Sequence, residues 1–206
     1  RLTEKEISVT PESQEELEDK KIIVPSKTIQ ELLRILSGLK ENGELEHDKQ
    51  EIDFYLSDNQ ILFTTQSTEL VSRLIEGQYP DYKQIIPESS NTSITVNKSE
   101  LVRAVKTSSL FSKSGVNDVN LDFPEGKDQV VVSSTSGQTG ENVAEIEAKT
   151  SGKDNSIIVN YQYLLDGLKA IEDEEVKIEV VDNNTPCTVK PVNNDNYIYI
   201  IMPIKQ

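Results

Sequence analysis

Three short β-branched runs in the chain each lead directly into an amphipathic segment. The runs are residues 22–24, 94–96 and 157–159, and each is followed by a residue suited to a helix N-cap, namely Ser26, Asn97 or Asn160. Apolar residues then recur three and four positions apart, which predicts three helices with one buried side each. The predicted buried sides consist of Ile29, Leu32, Leu33, Leu36 and Leu39, then Leu101, Val102, Ala104 and Val105, and finally Leu164, Leu165, Leu168 and Ile171.

Three strand patterns follow each predicted helix. Turn-forming residues such as Asp58-Asn59 separate the strands. The predicted strands are residues 51–56, 61–65 and 69–75, then 119–123, 130–134 and 142–148, and finally 176–181, 187–192 and 197–202. The chain is therefore predicted to contain three βαβββ repeats, and a period of roughly 60 to 70 residues is too long for a solenoid.

Two apolar segments lie outside this regular pattern. Residues 77–87 form a connector that carries two tyrosines and two isoleucines, and residues 199–204 form an apolar end to the chain. Connectors and chain ends are usually polar. We therefore expect the two segments to border a buried seam or a groove that holds a ligand, and to build one surface together.

The distribution of charge along the chain says more about possible binding partners than the net charge does. A net charge of −15 disfavours nucleic acid at first sight, because nucleic-acid binders are commonly basic. Residues 27–40 nevertheless carry a net +2 and residues 98–113 a net +3, both within predicted helices. For one helix the simpler interpretation is a solvated basic face. Two repeat-related basic helices in so acidic a chain favour a shared binding surface.

The sequence offers little for catalysis. His47 is the only histidine and is predicted to lie in a solvated acidic loop, while Cys187 is predicted to be a small apolar filler in a strand. No phosphate-binding loop, dinucleotide-binding glycine pattern or nucleophile elbow is present. We therefore expect no enzyme activity, no metal site and no cofactor.

Composition favours a soluble cytoplasmic protein. No run approaches the roughly 18 apolar residues of a membrane span. A single cysteine excludes an internal disulfide and fits a reducing cytosol. No secretory leader is visible, and the abrupt start at Arg1 suggests a cut within a longer protein.

Three segments, in order, resemble the bacterial sliding clamp family, the beta subunits of DNA polymerase III. They are the initial Arg1-Leu2, which is similar to the end of the family's Thr-Asp-Gly-His-Arg-Leu motif, then Glu-Gly-Gln-Tyr-Pro-Asp-Tyr at 76–82 with Ile-Ile-Pro at 85–87, and the Tyr-Ile-Ile-Met-Pro-Ile tail at 199–204. The resemblance covers essentially the whole chain. It implies an α+β DNA-clamp fold in which repeated βαβββ units place their helices on one face of antiparallel sheets. It also implies that residues 1–87 are the second half of the family's middle domain and that residues 88–206 are the complete third domain.

The resemblance further implies a non-catalytic processivity factor of DNA replication. Closed as a homodimer ring, such a protein encircles double-stranded DNA without sequence specificity, with helices lining the hole. The implied DNA-facing residues are Lys27, Arg34, Arg103 and Lys106. The implied partners are the DNA polymerase III catalytic subunit, the clamp loader and other proteins with a clamp-binding motif, in the bacterial cytoplasm at the nucleoid.

The resemblance also implies a partner-peptide groove and a dimer contact. The groove would consist of Arg1, Leu2, Pro80, Gln84, Ile85, Ile200, Ile201, Met202, Pro203 and Ile204, although the inward side of this last strand would be ordinary core. The dimer contact would consist of Leu110, Phe111, Glu145 and Glu147, with both glutamates on an edge strand. Gln84 replaces a residue that is often basic in the family, and the chain ends in Lys205-Gln206 rather than in arginine and an apolar residue. Without the family's first domain we expect a monomer or a non-native contact.

One alternative stays open, an acidic protein-binding adaptor module without DNA encirclement. The two functions require different arrangements of the four predicted DNA-facing cations. Encirclement of DNA requires that they share a helix-covered surface. Scattered cations, or cations paired with neighbouring acids, favour the adaptor.

Overall fold

The structure is a computed structural model that describes residues 20–41, 52–65 and 68–205. The chain divides into two compact bodies between Pro80 and Asp81. We call residues 1–80 the N-terminal body and residues 81–206 the C-terminal body. None of the described helices is both long enough and apolar enough to cross a membrane.

The N-terminal body contains one helix and one antiparallel sheet among its described residues. The helix is α1 (Ser26–Glu41), and the strands β1 (Asp53–Leu56), β2 (Gln60–Thr64) and β3 (Glu69–Arg73) pair in the order β1-β2-β3. A hydrogen bond of 2.7 Å between the Thr28 and Ser72 hydroxyls joins α1 to β3.

Two predictions of secondary structure in this body are wrong. Residues 22–24 form no strand, because the structure gives them one ladder-type bond, 2.9 Å from the Ile75 N–H to the Ile23 carbonyl, rather than a paired register. Ser26 is the first helical residue and not the N-cap. The Pro25 carbonyl accepts the first helical bonds, from the Thr28 N–H at 3.0 Å and the Ile29 N–H at 3.4 Å, so the helix begins one residue earlier than predicted.

The C-terminal body confirms two successive βαβββ repeats. The first consists of β4 (Thr92–Asn97), α2 (Lys98–Ser109), β5 (Asp118–Phe123), β6 (Gln129–Ser136) and β7 (Gly140–Gly152). The second consists of β8 (Asn155–Asn160), α3 (Tyr161–Lys169), β9 (Glu175–Val180), β10 (Cys187–Pro191) and β11 (Tyr199–Ile201). Asn97 and Asn160 are the N-caps of α2 and α3, as predicted, and each side chain accepts two backbone N–H bonds.

The two repeats exchange strands in a reciprocal manner. Among the described residues, the strands of this body form one antiparallel sheet in the order β11-β10-β9-β4-β7-β6-β5-β8. The first strand of each repeat therefore pairs with the other repeat: Val96 lies opposite Val176, and Val159 lies opposite Val119. An approximate two-fold relation between the repeats follows from this exchange.

Both helices of the C-terminal body lie on the same side of its sheet. They pack against each other and share one core with the inward residues of the strands. Leu101 and Val105 of α2, together with Leu164 and Leu168 of α3, are 1% exposed or less. This arrangement leaves the outer sides of both helices as a single surface, opposite the sheet.

The two repeats of the C-terminal body differ most in how their last strands pair. On one side, β4 pairs with β7 over five residues, from Thr92 to Val96. The equivalent contact between β8 and the tail is the 2.8 Å bond from the Ile204 N–H to the Ile158 carbonyl. The strand predicted at 197–202 is observed only as Tyr199–Ile201, and Pro203, which has no N–H, cannot extend the ladder beyond it.

Gly167 fixes β11 against α3. A Cβ atom at Gly167 would clash with the Tyr199 ring, and the Tyr197 hydroxyl donates to the Gly167 carbonyl at 3.0 Å. The Tyr197 and Tyr199 rings stack with centroids 6.4 Å apart. The absence of a side chain at Gly167 therefore permits the close approach of the last strand to the helix.

We predict that Gly167→Ala destabilises the C-terminal body. Alanine normally stabilises a helix by about 1 kcal/mol relative to glycine. Here the added methyl group displaces the Tyr199 ring, and overpacking of this kind costs about 1–3 kcal/mol. Chemical denaturation should therefore give a lower free energy of unfolding for the variant.

The matched control is Gly38→Ala in α1, where an added Cβ meets no heavy atom of a described residue within 4 Å. This variant should be neutral or stabilising. Stabilisation of the C-terminal body by Gly167→Ala would show that the Gly167–Tyr199 contact does not constrain the last strand.

Candidate functional site

The outer side of α2 carries two cations that are free to meet an anion. Arg103 and Lys106 are both exposed and lie three residues apart, on the side opposite buried Leu101, Ala104 and Val105. Within the part of the chain that the structure describes, neither side chain forms an ion pair. Their charge is therefore directed into solvent, on the helix-covered side of the C-terminal body.

The two predicted DNA-facing cations of α1 differ in whether they form an ion pair. Lys27 is exposed and has no ion pair with a described residue. Arg34 is exposed but bonded to Glu31, with 3.0 Å between Arg34 Nε and Glu31 Oε2. The hydrogen bond from Arg34 lowers the pKa of the Glu31 carboxyl. The pair is a surface pair within one helix, which an anionic ligand can displace at little cost.

The outer side of α3 is less basic than that of α2. Lys169 Nζ lies 3.3 Å from Asp166 Oδ1, which leaves the last turn close to neutral. The first turn presents Gln162 and Tyr163, and Tyr163 is 56% exposed. The sequence analysis missed this exposed aromatic residue, because the helical period of apolar residues marks only the buried side of a helix.

The tail divides its apolar residues between core and surface. Ile201 and Pro203 are buried, whereas Met202 is 59% exposed and Ile200 and Ile204 are half-buried. The outward set is therefore Ile200, Met202 and Ile204, and the other two predicted groove residues lie beneath the surface. This alternation follows the two-residue period of an extended chain.

The predicted groove residues outside the tail fall in three groups. Gln84 and Ile85 belong to a 3₁₀ turn (Tyr82–Gln84) and its C-cap; Ile85 is exposed, and the Gln84 amide donates to Asp81 Oδ2 at 2.9 Å. Pro80 is exposed at the end of the N-terminal body. Arg1 and Leu2 lie outside the described residues.

The residues predicted for a dimer contact are on the surface of the C-terminal body. Leu110 follows α2 and is 71% exposed, and Phe111 next to it is half-buried. Glu145 and Glu147 are exposed on β7, where residues 140–147 pair with β6 on one side. On the other side, no described strand pairs with this segment, so it is an open edge.

The described residues provide no metal site, and the cysteine among them is not activated. No three histidine, cysteine, aspartate or glutamate side chains in the described ranges lie close enough to hold a metal ion. Burial raises the pKa of the Cys187 thiol to about 12, so it stays protonated and inert. His47 lies outside the described residues.

One charged cluster was not anticipated from the sequence. Glu179 on β9 accepts from Lys190 at 2.8 Å and lies 2.8 Å from Lys177. Burial alone would raise the pKa of Glu179, but bonds and charges from the two lysines prevail and lower it to about 2. Charged residues alternate along both strands, and this alternation was the available sequence signal for the cluster. It was not sufficient, because no sequence pattern fixed the register between the strands.

Two family models match the chain and meet near the boundary between the bodies. Residues 1–81 match the central domain of the DNA polymerase III beta subunit, and residues 83–205 match its C-terminal domain. The chain belongs to the DNA polymerase III beta subunit family. The α+β clamp fold predicted from the sequence is confirmed by this match and by the antiparallel sheets with their helices.

Relatives and solved structures agree with the family. The chain is 32% identical over 189 residues to the beta sliding clamp of Staphylococcus aureus strain Mu50, covering 91% of this chain and 48% of that protein. The DNA polymerase III beta chain of Streptococcus pneumoniae TIGR4 superposes with a TM-score of 0.79 at 28% identity, over 94% of this chain and 49% of that one. The DNA polymerase sliding clamp of Bacillus subtilis superposes with a TM-score of 0.77 at 28% identity, over 90% of this chain and 47% of that one. This beta-subunit chain thus spans about half the length of the relatives it matches.

Proposed function

We propose that the chain is part of a sliding clamp, a non-catalytic processivity factor that surrounds duplex DNA and tethers DNA polymerase III. In this proposal Lys27, Arg34, Arg103 and Lys106 face the DNA and contact phosphates without reading bases. The observation that carries the DNA-facing role is the position of Arg103 and Lys106. Both lie unpaired with described residues on the helix-covered side of a body that belongs to a strongly acidic chain.

A weak electrostatic contact is appropriate to such a function. Each cation that neutralises a phosphate adds to the salt dependence of binding rather than to sequence preference. A closed ring keeps its hold on DNA by topology, so individual contacts can remain weak and exchange as the protein slides. The ion pair between Arg34 and Glu31 does not prevent such a contact, because it is exposed and easily exchanged for a phosphate.

The tail supports the second part of the proposal, the tethering of partners. Met202 and Ile85 are exposed apolar residues, and Ile200 and Ile204 are half-buried. We propose that they accept the leucine and phenylalanine anchors of short peptides from the polymerase, the clamp loader and other partners, in a mode that gains affinity from a few buried anchors. Ile201 and Pro203 then support the groove from beneath.

The proposal also includes a ring closed by two copies of the intact protein. The open edge of β7 with Glu145 and Glu147, and the exposed Leu110 beside half-buried Phe111, are its candidate contact on this chain. An edge strand accepts another strand readily. The acidic adaptor is the competing function, and the pairing of Arg34 with Glu31 is the observation that favours it.

We predict that Arg103→Ala/Lys106→Ala weakens binding of this chain to duplex DNA and flattens its salt dependence. Loss of two phosphate contacts should reduce the slope of log K against log salt by about 2. Fluorescence anisotropy of a labelled duplex at low ionic strength measures both quantities, with several unrelated sequences expected to bind equally.

The matched control is Lys127→Ala/Lys153→Ala, which removes the same charge from exposed turns between strands. This variant should bind DNA like the parent chain. An equal loss in both variants, or no DNA binding by the parent, would favour the adaptor over the clamp.

We predict that Met202→Glu abolishes capture of a peptide with leucine and phenylalanine anchors. The side chain is exposed, so a charge there is compatible with the fold but not with an apolar anchor. Isothermal titration should show at least a tenfold loss in affinity, with an unchanged melting temperature. Val192→Glu, also at an exposed apolar residue of the C-terminal body, serves as the control and should bind normally. Undiminished binding by Met202→Glu would exclude the tail as the groove.

A further inference from the structure

The outward residues of the tail lie on the side of the sheet that points away from α2 and α3. Ile201 belongs to the core together with Cys187 and Val189, so Ile200 and Met202 point to the opposite side. The inward residues of β9 also belong to the core, so the side chains that alternate with them point to this opposite side too. We call it the outer sheet face of the C-terminal body.

A row of side chains on the outer sheet face connects the tail with the Glu179 cluster. Ile200 lies opposite Thr188 on β10, and Thr188 lies opposite Glu179 on β9. The hydroxyl of the buried Thr188 donates to Glu179 Oε2 at 3.3 Å. Lys190 is two residues beyond Thr188, so its Cα atom lies diagonally across from that of Ile200, about 8 Å away. A peptide held over Ile200 is therefore within reach of the Lys190 side chain.

The cluster contains one more cation than anion. Lys177 Nζ lies 2.8 Å from Glu179 Oε1, and Lys190 Nζ lies 2.8 Å from Glu179 Oε2. An ammonium group has three donors, and neither lysine has a further ion pair with a described residue. Burial opposes ionisation of Glu179, but the two lysines prevail and lower its pKa to about 2, so the carboxylate stays charged. The cluster therefore has a net charge of +1.

The excess positive charge is partly withdrawn from water. The side chains of Lys177 and Lys190 are 42% and 35% exposed, and that of Glu179 is 21% exposed. A partly buried charge is most stable beside an opposite charge. The cluster is therefore suited to bind a second anion beside the tail.

Lys149 provides a contrast on the same face. It lies in the same cross-strand row as Lys177 and Lys190, but on β7. Its Nζ lies 3.8 Å from Glu175 Oε1, which balances its charge, and its side chain is 82% exposed. A hydrated surface lysine of this kind gains little from a further anion.

We propose that Lys190, held in place by Glu179, binds an acidic side chain of the partner peptide beside the apolar anchors at the tail. The inference rests on the function proposed for the tail, and it adds the charge that a preferred partner carries. The acidic side chain completes a cluster of two cations and two anions. It lies two or three residues from the anchor over Ile200, because two residues of extended chain span about 7 Å.

The rest of the outer sheet face makes this contact selective. The outward residues of β5 and of the neighbouring part of β7 include four acids, namely Asp118, Asp122, Glu145 and Glu147. Like charges repel an acidic peptide there, and such repulsion fixes the register of a charged partner. The acidic residue of the peptide is therefore directed to Lys190.

A double-mutant cycle tests the contact. Four peptides carry leucine and phenylalanine anchors, with Asp or Asn placed either two residues before the leucine or two residues after the phenylalanine. At low ionic strength, isothermal titration of the parent chain should show one Asp peptide binding about three to ten times more tightly than its Asn counterpart. Added salt should reduce this preference.

The variants separate the contact from a general effect of charge. Lys190→Gln should bind the Asp and Asn peptides equally, while Lys177 still pairs with Glu179. Lys190→Glu should bind the Asp peptide less tightly than the Asn peptide. The matched control is Lys149→Gln, which removes the same charge from the same face, three strand spacings or about 14 Å from β10. It should keep the full preference for Asp.

Three outcomes would overturn the proposal. Equal affinities of the parent for the Asp and Asn peptides, with both lost in Met202→Glu, would leave the groove in place and exclude the acidic contact. A preference for Asp that persists in Lys190→Gln, or that disappears equally in Lys149→Gln, would show that the acid does not bind at Lys190. No binding of any of the peptides would overturn the function proposed for the tail as well.

Discussion

The reciprocal exchange of first strands between two βαβββ repeats is the constraint on which the C-terminal body depends. Each helix packs against strands of its own repeat, and α2 also packs against α3, while each first strand takes its place beside the other repeat's sheet. Once β4 joins β9 and β8 joins β5, the inward side chains of both repeats form one core, and α2 and α3 are fixed side by side. The same rule explains why α1, which lacks a second repeat among the described residues, keeps Ile29 and Leu33 exposed.

The functional surfaces follow from that exchange. Because both helices lie on one side, the outward residues of α2 and α3 share a face, and the cations Arg103 and Lys106 are presented there. The end of the chain lies beside β8 but pairs with it incompletely, through a backbone hydrogen bond from Ile204. Gly167 and Tyr199 hold the preceding strand close to α3, and the side chain of Met202 points outward from the end of that strand. The proposed function requires such a division, with a weak hold on DNA at the helix-covered face and a selective hold on partners at the tail.

Much of this could be predicted from the sequence, for identifiable reasons. Helix and strand periods predicted the repeats, and Asn97 and Asn160 marked two helix starts, because capping is a local interaction. Strand register and burial depend on tertiary partners rather than on local sequence, so the hydrophobic pattern predicted them wrongly in the N-terminal body. Residues 22–24 form no strand there, and the apolar side of α1 is uncovered. The motif at 76–87 and the tail pointed to the family, which the family models confirm. The roles of Lys27, Arg34 and the groove residues stay predictions, and Gly167, Tyr163 and the Glu179 cluster became visible only through the packing.

Native-state hydrogen exchange of the C-terminal body tests the mutual dependence of its repeats most directly. If each repeat completes the other, the amides of Ile94 and Val96 on β4 and those of Ile157 and Val159 on β8 should exchange through one cooperative opening. They should then share one free energy of opening and one denaturant dependence, equal to those of global unfolding. Protection that persists in one repeat while the other has opened would contradict the account, because it would show a repeat that is stable without its partner.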